Sequence, residues 1–155
     1  RMEDIEILDA LNYFSEFLKE CLSDNDWTIK HFADLIDCNP QAVGRWKKGL
    51  YLPCPQKIIQ TAIISKSSIN YMFGLSCKKE FNYCLQNTTF YERYEHLRDL
   101  RGYNNYQVAR LCDFGNSSVY DWQQRTTCPK VFQVLKLAIK LQGSLDYLFG
   151  ISELI

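Results

Sequence analysis

Residues 28–49 read TIKHFADLIDCNPQAVGRWKKG. Thr28 is suited to cap a helix, and the apolar residues that follow it recur at helical spacing. The positions of this helix expected to be buried are Phe32, Leu35 and Ile36. Asn39 can cap a second helix, because its side chain accepts a backbone N–H and a proline is favoured directly after it. The stretch therefore predicts two short helices, about 28–36 and 39–48, joined by a three-residue turn.

The same pattern returns 76 residues later, as NYQVARLCDFGNSSVYDWQQ over residues 105–124. When residues 13–76 are set against 89–152 without a gap, 15 of the 64 positions are identical. Typical residue frequencies would give about 4 identities by chance. The chain therefore consists of two copies of one module, with expected domains at 1–77 and 78–155 and a junction at about 77–87.

The identities fall mainly on apolar, small and turn residues, as a shared core with different surfaces would produce. Three of them are Ala33 with Ala109, Val43 with Val119, and Trp46 with Trp122. A small residue midway along the first helix lets the second helix cross close over it. Valine and tryptophan three residues apart share a helix face and point into the core. A helix-turn-helix outline that occurs twice at equivalent positions is stronger support than a single one.

The remaining segments also have helical periodicity, and none shows convincing alternation with a period of two. Helices are expected at about 5–22, 56–64 and 68–74 in the first copy, and at 88–101, 104–112, 115–125, 130–141 and 144–149 in the second. The predicted fold class is all-α, with two tandem five-helix bundles.

Composition excludes several classes of protein. Hydrophobic residues make up 46 % and charged residues 23 %, which is typical of a globular chain. Lys+Arg and Asp+Glu number 18 each, which excludes a strongly basic nucleic-acid coat but not a local basic patch. No run of 18 apolar residues is present, and the acidic start of the chain (Glu3, Asp4, Glu6) is unlike a secretory signal. We expect a cytoplasmic protein without a membrane partner.

The residues give no sign of a metal centre or a catalytic site. The seven cysteines are scattered without a C-x-x-C pair, and only two histidines are present, so we expect reduced thiols and no metal or other cofactor. No nucleophile–base constellation and no Gly-rich phosphate loop occurs. We therefore expect no enzymatic activity and no small-molecule substrate.

These segments resemble the lambda-repressor or Cro type of helix-turn-helix, a family of bacterial and phage DNA-binding domains. FYERYEHLRDLRGYN (90–104) is similar to the family's first helix, and the paired helices of both copies are similar to its helix-turn-helix. GSLDYLFGIS (143–152) and SSINYMFGLS (67–76) resemble its closing helix, often written S-L-D-Y-L-L-G. The likeness covers nearly the whole chain, apart from the start and the junction.

The resemblance implies binding of double-stranded DNA, with the second helix of each pair in the major groove. Carried over by position, the DNA-binding residues of the first copy are Thr28, Lys30, Asn39, Gln41, Gly44, Arg45 and Lys48. Those of the second copy are Asn104, Asn105, Asn116, Ser117, Ser118, Tyr120 and Arg125. Many family members also join the first helix to the residue after the tryptophan by an ion pair. Here the second copy holds Arg98 and Gln123 at those positions, which predicts a hydrogen bond instead.

The chemistry of these residues differs between the copies. Gln41 can pair with adenine, Arg45 can pair with guanine or a phosphate, and nearby lysines attract phosphates. Asp121 stands where the first copy has Arg45. A carboxylate there is repelled by phosphates, although it can accept a hydrogen bond from cytosine.

The sequence thus predicts a sequence-specific DNA-binding transcriptional regulator and leaves two arrangements open. Both copies can read one asymmetric site as a covalent pseudo-dimer, with recognition helices about 34 Å apart. Alternatively the chain forms a homodimer in which one module of each protomer reads DNA. The rival function is a protein–protein interaction module, in which one or both copies have lost DNA binding.

Overall fold

The computed structural model describes residues 7–115, 117–125 and 128–155, with the side chain of Arg125 left out. Within these ranges the regular secondary structure is helical, and the only β-type pairing is an isolated bridge between Ser67 and Glu80. The all-α prediction is confirmed for the described part of the chain.

The chain divides into two compact units, one ending at Asn82 and the other beginning at Tyr83. The helices of the first unit are α1 (Ile7–Asp24), α2 (Ile29–Leu35), α3 (Pro40–Lys47), α4 (Pro55–Ser65) and α5 (Ile69–Met72). Those of the second unit are α6 (Phe90–Leu100), α7 (Asn105–Cys112), α8 (Ser118–Arg125), α9 (Val131–Lys140) and α10 (Leu145–Leu148).

The segment before the boundary is bound to the first unit. The Ser68 N–H donates to the Lys79 carbonyl at 2.9 Å, and the Phe81 N–H donates to the Lys66 carbonyl at 3.0 Å. The Lys79 ammonium lies 3.0 Å from Glu20 and 2.8 Å from Asp24, both on α1. Residues 78–82 therefore pack with the first unit, and they lie within the junction predicted at about 77–87.

The backbone follows the 76-residue register of the sequence repeat. Helices α5 and α10 have the same bounds after that shift, and α4 and α9 begin at equivalent residues. Left-handed backbone conformations also recur in register, at Asp26 with Gly102, Asp37 with Asp113, Lys66 with Gln142, and Gly74 with Gly150. Since left-handed residues set the direction in which a chain leaves a helix, the two units turn at the same places.

An aromatic cluster fills the core of each unit. In the first unit Phe14 packs edge-on against Trp46, with ring centroids 6.4 Å apart. In the second unit Phe90 and Trp122, the residues in register with that pair, pack edge-on at 5.6 Å. Val43, Val119, Ala33 and Ala109 are buried as well, so the core positions inferred from the repeat are confirmed.

Two local predictions are wrong. Leu35 is 43 % exposed, because the buried arc of α2 is centred on Phe32, Ala33 and Ile36 and Leu35 falls at its edge. Helix α8 begins at Ser118 rather than at 115 or 116, since the Ser118 N–H closes a turn on the Gly115 carbonyl at 3.2 Å. The expected start of α1 at Ile5 lies outside the described residues.

Candidate nucleic-acid interface

The turn between α2 and α3 is fixed by caps at both ends. Asp37 takes a left-handed conformation (φ 52°), and the Asn39 side chain accepts the Gln41 N–H at 2.8 Å. The Lys57 ammonium, from α4, donates to the carbonyls of Ile36 and Asp37 at 2.7 and 3.0 Å. Because these bonds satisfy the carbonyls of the two residues that follow α2, a side chain of α4 helps to fix the turn between α2 and α3.

The outward side of this pair is basic. Val43 and Trp46 face the core, which turns Gln41, Arg45 and Lys48 toward solvent, and all three are exposed. Lys30, on α2, is exposed too. No carboxylate among the described residues lies within salt-bridge distance of Lys30, Arg45 or Lys48. These three cations are therefore unpaired within the part of the chain that the structure describes.

Gly44 lies in the middle of this basic surface. It is an interior residue of α3, and a Cβ built on it would meet nothing within 4 Å. Glycine in a helix interior costs about 0.5–1 kcal/mol relative to alanine. The described contacts of the fold do not require the absence of a side chain, so the glycine leaves the backbone of α3 open to close approach by another molecule.

The start of α2 carries the predicted phosphate contacts of the first copy. Thr28 is exposed, and its hydroxyl accepts the His31 N–H at 3.0 Å, so it caps the helix. Ile29, the next residue, is half-buried. The Thr28 side chain is thus engaged within the protein, and the exposed Lys30 follows it by two residues on α2.

In the second unit α7 begins with a capping box. The Asn104 side chain accepts the Gln107 N–H at 2.8 Å, and the Gln107 side chain accepts the Asn104 N–H at 2.8 Å. Asn104 is exposed, and its side-chain amide donates no hydrogen bond to the described residues.

Asn105 lies at the centre of a hydrogen-bonded cluster that the sequence did not reveal. Its Oδ1 accepts from the Tyr94 hydroxyl at 2.7 Å and from Arg98 Nη1 at 2.7 Å. Its Nδ2 donates to the Tyr91 hydroxyl at 3.2 Å. Burial raises the pKa of Tyr94 above its ordinary value, so its hydroxyl stays protonated and donates. The side chain of Asn105 is therefore largely committed to joining α6 and α7.

Arg98 differs from its expected role. It donates to Asn105 and, at 2.7 Å, to Asp99, and its guanidinium lies 5.9 Å from the centre of the Tyr94 ring. It forms no hydrogen bond to Gln123, both residues being among those described, so that prediction is wrong. The amide of Asn105 and the adjacent Asp99 carboxylate satisfy the guanidinium in place of Gln123.

The outward side of α8 is polar and aromatic. Ser117 and Tyr120 are exposed, and Ser118 and Asp121 are half-exposed. Asn116 and the side chain of Arg125, both predicted to bind DNA, lie outside the described residues. What the structure describes of this side contains hydroxyl groups, one carboxylate and the exposed amide of Gln124.

The two units therefore present different charges at equivalent positions. The pairs in register are Lys30 and Tyr106, Gly44 and Tyr120, Arg45 and Asp121, and Lys48 and Gln124. Three cations of the first unit are replaced by two neutral residues and an anion. At the position of Gly44 the second unit has Tyr120, which is 61 % exposed. At these four pairs of positions, the cations that attract phosphates belong to the first unit.

Among the described residues, no group of three or more His, Cys, Asp or Glu side chains is arranged to hold a metal ion. None of the described helices has the length and apolar character that crossing a membrane requires. Comparison with protein-family models, with curated proteins and with solved structures gave no match.

Proposed function

We propose that this chain is a sequence-specific double-stranded-DNA-binding transcriptional regulator and that its first unit reads the DNA. The observation that carries the proposal is a group of exposed cations, Lys30, Arg45 and Lys48, around the bare backbone of Gly44. None of the three forms a salt bridge with the described residues. Phosphate attraction supplies most of the affinity of such proteins, and base contacts supply their specificity.

Each group has a distinct role in this proposal. Helix α3 enters the major groove, and the missing side chain at Gly44 allows its backbone to come close to the base edges. Gln41 reads a base through its amide, and adenine fits an amide in the bidentate manner. Arg45 reads guanine or holds a phosphate, and Lys30 and Lys48 neutralise phosphates on either side. The caps at Thr28 and Asn39 hold the helices in place.

The second unit does not contribute phosphate contacts of the same kind. Its described outward side carries Tyr106, Tyr120 and Asp121 where the first unit carries Lys30, Gly44 and Arg45. A carboxylate beside phosphates is repelled, and two bulky rings keep the helix backbone away from a groove. Of the two arrangements that the sequence leaves open, the charge distribution favours the one in which a single unit of each chain reads DNA.

Selection from a randomised duplex pool at low salt tests the proposal. We expect the full chain to enrich one motif, and Gln41→Ala/Arg45→Ala to lose the enrichment. The matched variant Ser117→Ala/Asp121→Ala, at the equivalent positions in the second copy, should enrich the same motif as the wild type. If the wild type enriches no motif even at low salt, the chain is not a DNA reader.

A further inference from the structure

A cleft in the second unit lies between α7 and α8, the helices that correspond to the DNA-reading pair. Its volume is about 330 Å³, and it is lined by Asn105, Tyr106, Ala109, Val119, Tyr120 and Gln123. Its floor is apolar, because Ala109 and Val119 are buried and present short aliphatic side chains. The Asn105 side chain is held by its hydrogen bonds to Tyr94 and Arg98. The cleft therefore has an apolar floor and, on the α7 side, a fixed wall.

Two exposed tyrosines distinguish this cleft from the equivalent surface of the first unit. Tyr106 and Tyr120, from α7 and α8, are 63 % and 61 % exposed. Lys30 and Gly44 hold the positions in register, so the first unit has no aromatic ring at either place. Neither tyrosine ring packs against another aromatic ring among the described residues. The faces of both rings are therefore available to stack on a planar ligand.

Rings exposed in this way suit unpaired nucleobases. A base stacks on a tyrosine through its face, which is how proteins commonly hold single strands. In a duplex those faces are covered by the neighbouring base pairs, and only the base edges are accessible in the grooves. The two tyrosines are therefore better matched to a single strand than to double-stranded DNA. Because every base has such a face, stacking requires no particular sequence.

The polar side chains around the cleft fit the rest of a single strand. Gln123 is exposed and lines the cleft, so its amide can both donate to and accept from the edge of a stacked base. The Arg110 guanidinium lies 5.8 Å from the centre of the Tyr106 ring, and Arg110 replaces the carboxylate of Asp34 in the first unit. Arg110 is thus placed to attract a phosphate on the α7 side, whereas Asp121 on α8 repels phosphates from the other side.

We propose that the α7–α8 cleft binds single-stranded DNA, with unpaired bases stacked on Tyr106 and Tyr120. Gln123 bonds the edge of a base, and Arg110 holds a phosphate on the α7 side. The choice of DNA over RNA rests on the proposed function, because a chain that reads a duplex with its first unit meets the strands of the same DNA. The second unit thereby adds a strand-binding activity to the duplex reading of the first unit.

Fluorescence anisotropy of a labelled oligothymidylate of about 12 nucleotides, titrated with the full chain at low salt, tests the proposal. The wild type should bind. Tyr106→Leu and Tyr120→Leu should each weaken binding by about tenfold, because leucine keeps the bulk but has no ring face on which a base can stack. Tyr120→Phe retains the ring and should bind as the wild type does. Tyr51→Leu, at a tyrosine of the first unit that is also 61 % exposed, is the matched control and should leave the affinity unchanged.

Three further ligands separate stacking from charge and DNA from RNA. An abasic strand of the same length has the same phosphates and no bases, so the wild type should bind it about tenfold more weakly. An oligouridylate of equal length should bind no more tightly than the oligothymidylate. The duplex selected for the first unit should bind Tyr120→Leu as tightly as the wild type. Circular dichroism checks that each variant is folded.

The outcomes keep this inference apart from the proposed function. A wild type that leaves the oligothymidylate unbound at low salt, while the duplex selection succeeds, would overturn the inference alone and leave the cleft to a protein partner. Equal affinity for the abasic strand, or leucine variants that bind as the wild type does, would contradict stacking in the cleft. Tighter binding of the oligouridylate would assign the cleft to RNA instead. If the duplex selection fails, strand binding that depends on both tyrosines still establishes the site.

Discussion

Arg45 and Asp121 occupy the same position in the two units, each one residue before a buried tryptophan on the second helix of the pair. The tryptophans, Trp46 and Trp122, face the core with 6 % and 4 % of their surface exposed. The residues before them therefore turn outward, and the opposite charges at these positions give the two outward surfaces opposite character. The two units thus carry opposite charges at the same outward position.

Gly44→Ala should raise the stability of the protein and lower its affinity for DNA. The added methyl group meets no atom within 4 Å, and alanine is the better helix former, so the free energy of unfolding should rise by about 0.5–1 kcal/mol. DNA affinity should fall several-fold, because the methyl group holds the backbone of α3 away from the base edges. Urea unfolding and titration with the selected duplex measure the two effects. A variant that binds DNA as tightly as the wild type would show that α3 does not approach DNA at this position.

Asn105→Ala should destabilise the second unit by about 1–3 kcal/mol, because the buried Tyr94 hydroxyl and the Arg98 guanidinium lose a shared acceptor. Tyr94→Phe removes the hydroxyl that Asn105→Ala leaves without an acceptor. The double variant Tyr94→Phe/Asn105→Ala should therefore lose less stability than the sum of the two single variants. Urea unfolding of the three variants measures this coupling. Additive losses would mean that the Tyr94–Asn105 bond does not contribute to stability.

The cysteines should fall into groups of different reactivity. Cys54, Cys77 and Cys84 are exposed, whereas Cys21 and Cys112 are buried, and burial raises the pKa of each buried thiol to about 11. Only the thiolate reacts with iodoacetamide, and a raised pKa lowers the thiolate fraction at any given pH. At pH 8 we expect rapid alkylation of the three exposed cysteines and slow alkylation of the two buried ones, measured by peptide mass spectrometry. Urea should make all seven reactive; equal rates in the native protein would contradict the packing of α1 and α7.

The helical repeat could be predicted from the sequence because the repeated residues are those of the core. Ala33, Val43 and Trp46 recur 76 residues later as Ala109, Val119 and Trp122, and all six are buried. The capping residues were readable as well, since Thr28, Asn39 and Asn104 precede their helices directly. Such signals are local or periodic, and either kind can be recognised without knowing how the helices pack.

The contacts that join different helices could not be predicted from the sequence in the same way. In the first unit, Lys57 donates to the carbonyl of Ile36, the residue after α2. In the second unit, Lys136 donates to the carbonyl of Cys112, the last residue of α7, at 3.0 Å. The register of the repeat sets Lys136 against Gln60, so comparison of the copies does not connect the two lysines. The cluster around Asn105 likewise joins side chains from α6 and α7 that no short spacing rule relates. The cleft between Tyr106 and Tyr120 was missed because it depends on how α7 and α8 cross.

The most direct test of the central claim exchanges the charges of one unit for those of the other. Lys30→Tyr/Arg45→Asp/Lys48→Gln gives the first unit the residues of the second at three exposed positions. Lys66→Gln removes a lysine elsewhere and is a matched control, because Gln142 holds the equivalent position with nearly the same left-handed backbone (φ 52° against 51°). Circular dichroism should show both variants folded.

The measurement is affinity for a random-sequence duplex as a function of salt concentration. For the wild type and Lys66→Gln, three phosphate contacts predict a slope of log affinity against log salt of about −3. For the triple variant we predict a slope near zero and little binding even at low salt. Equal affinity and equal slope in all three proteins would contradict the assignment of DNA reading to α2 and α3.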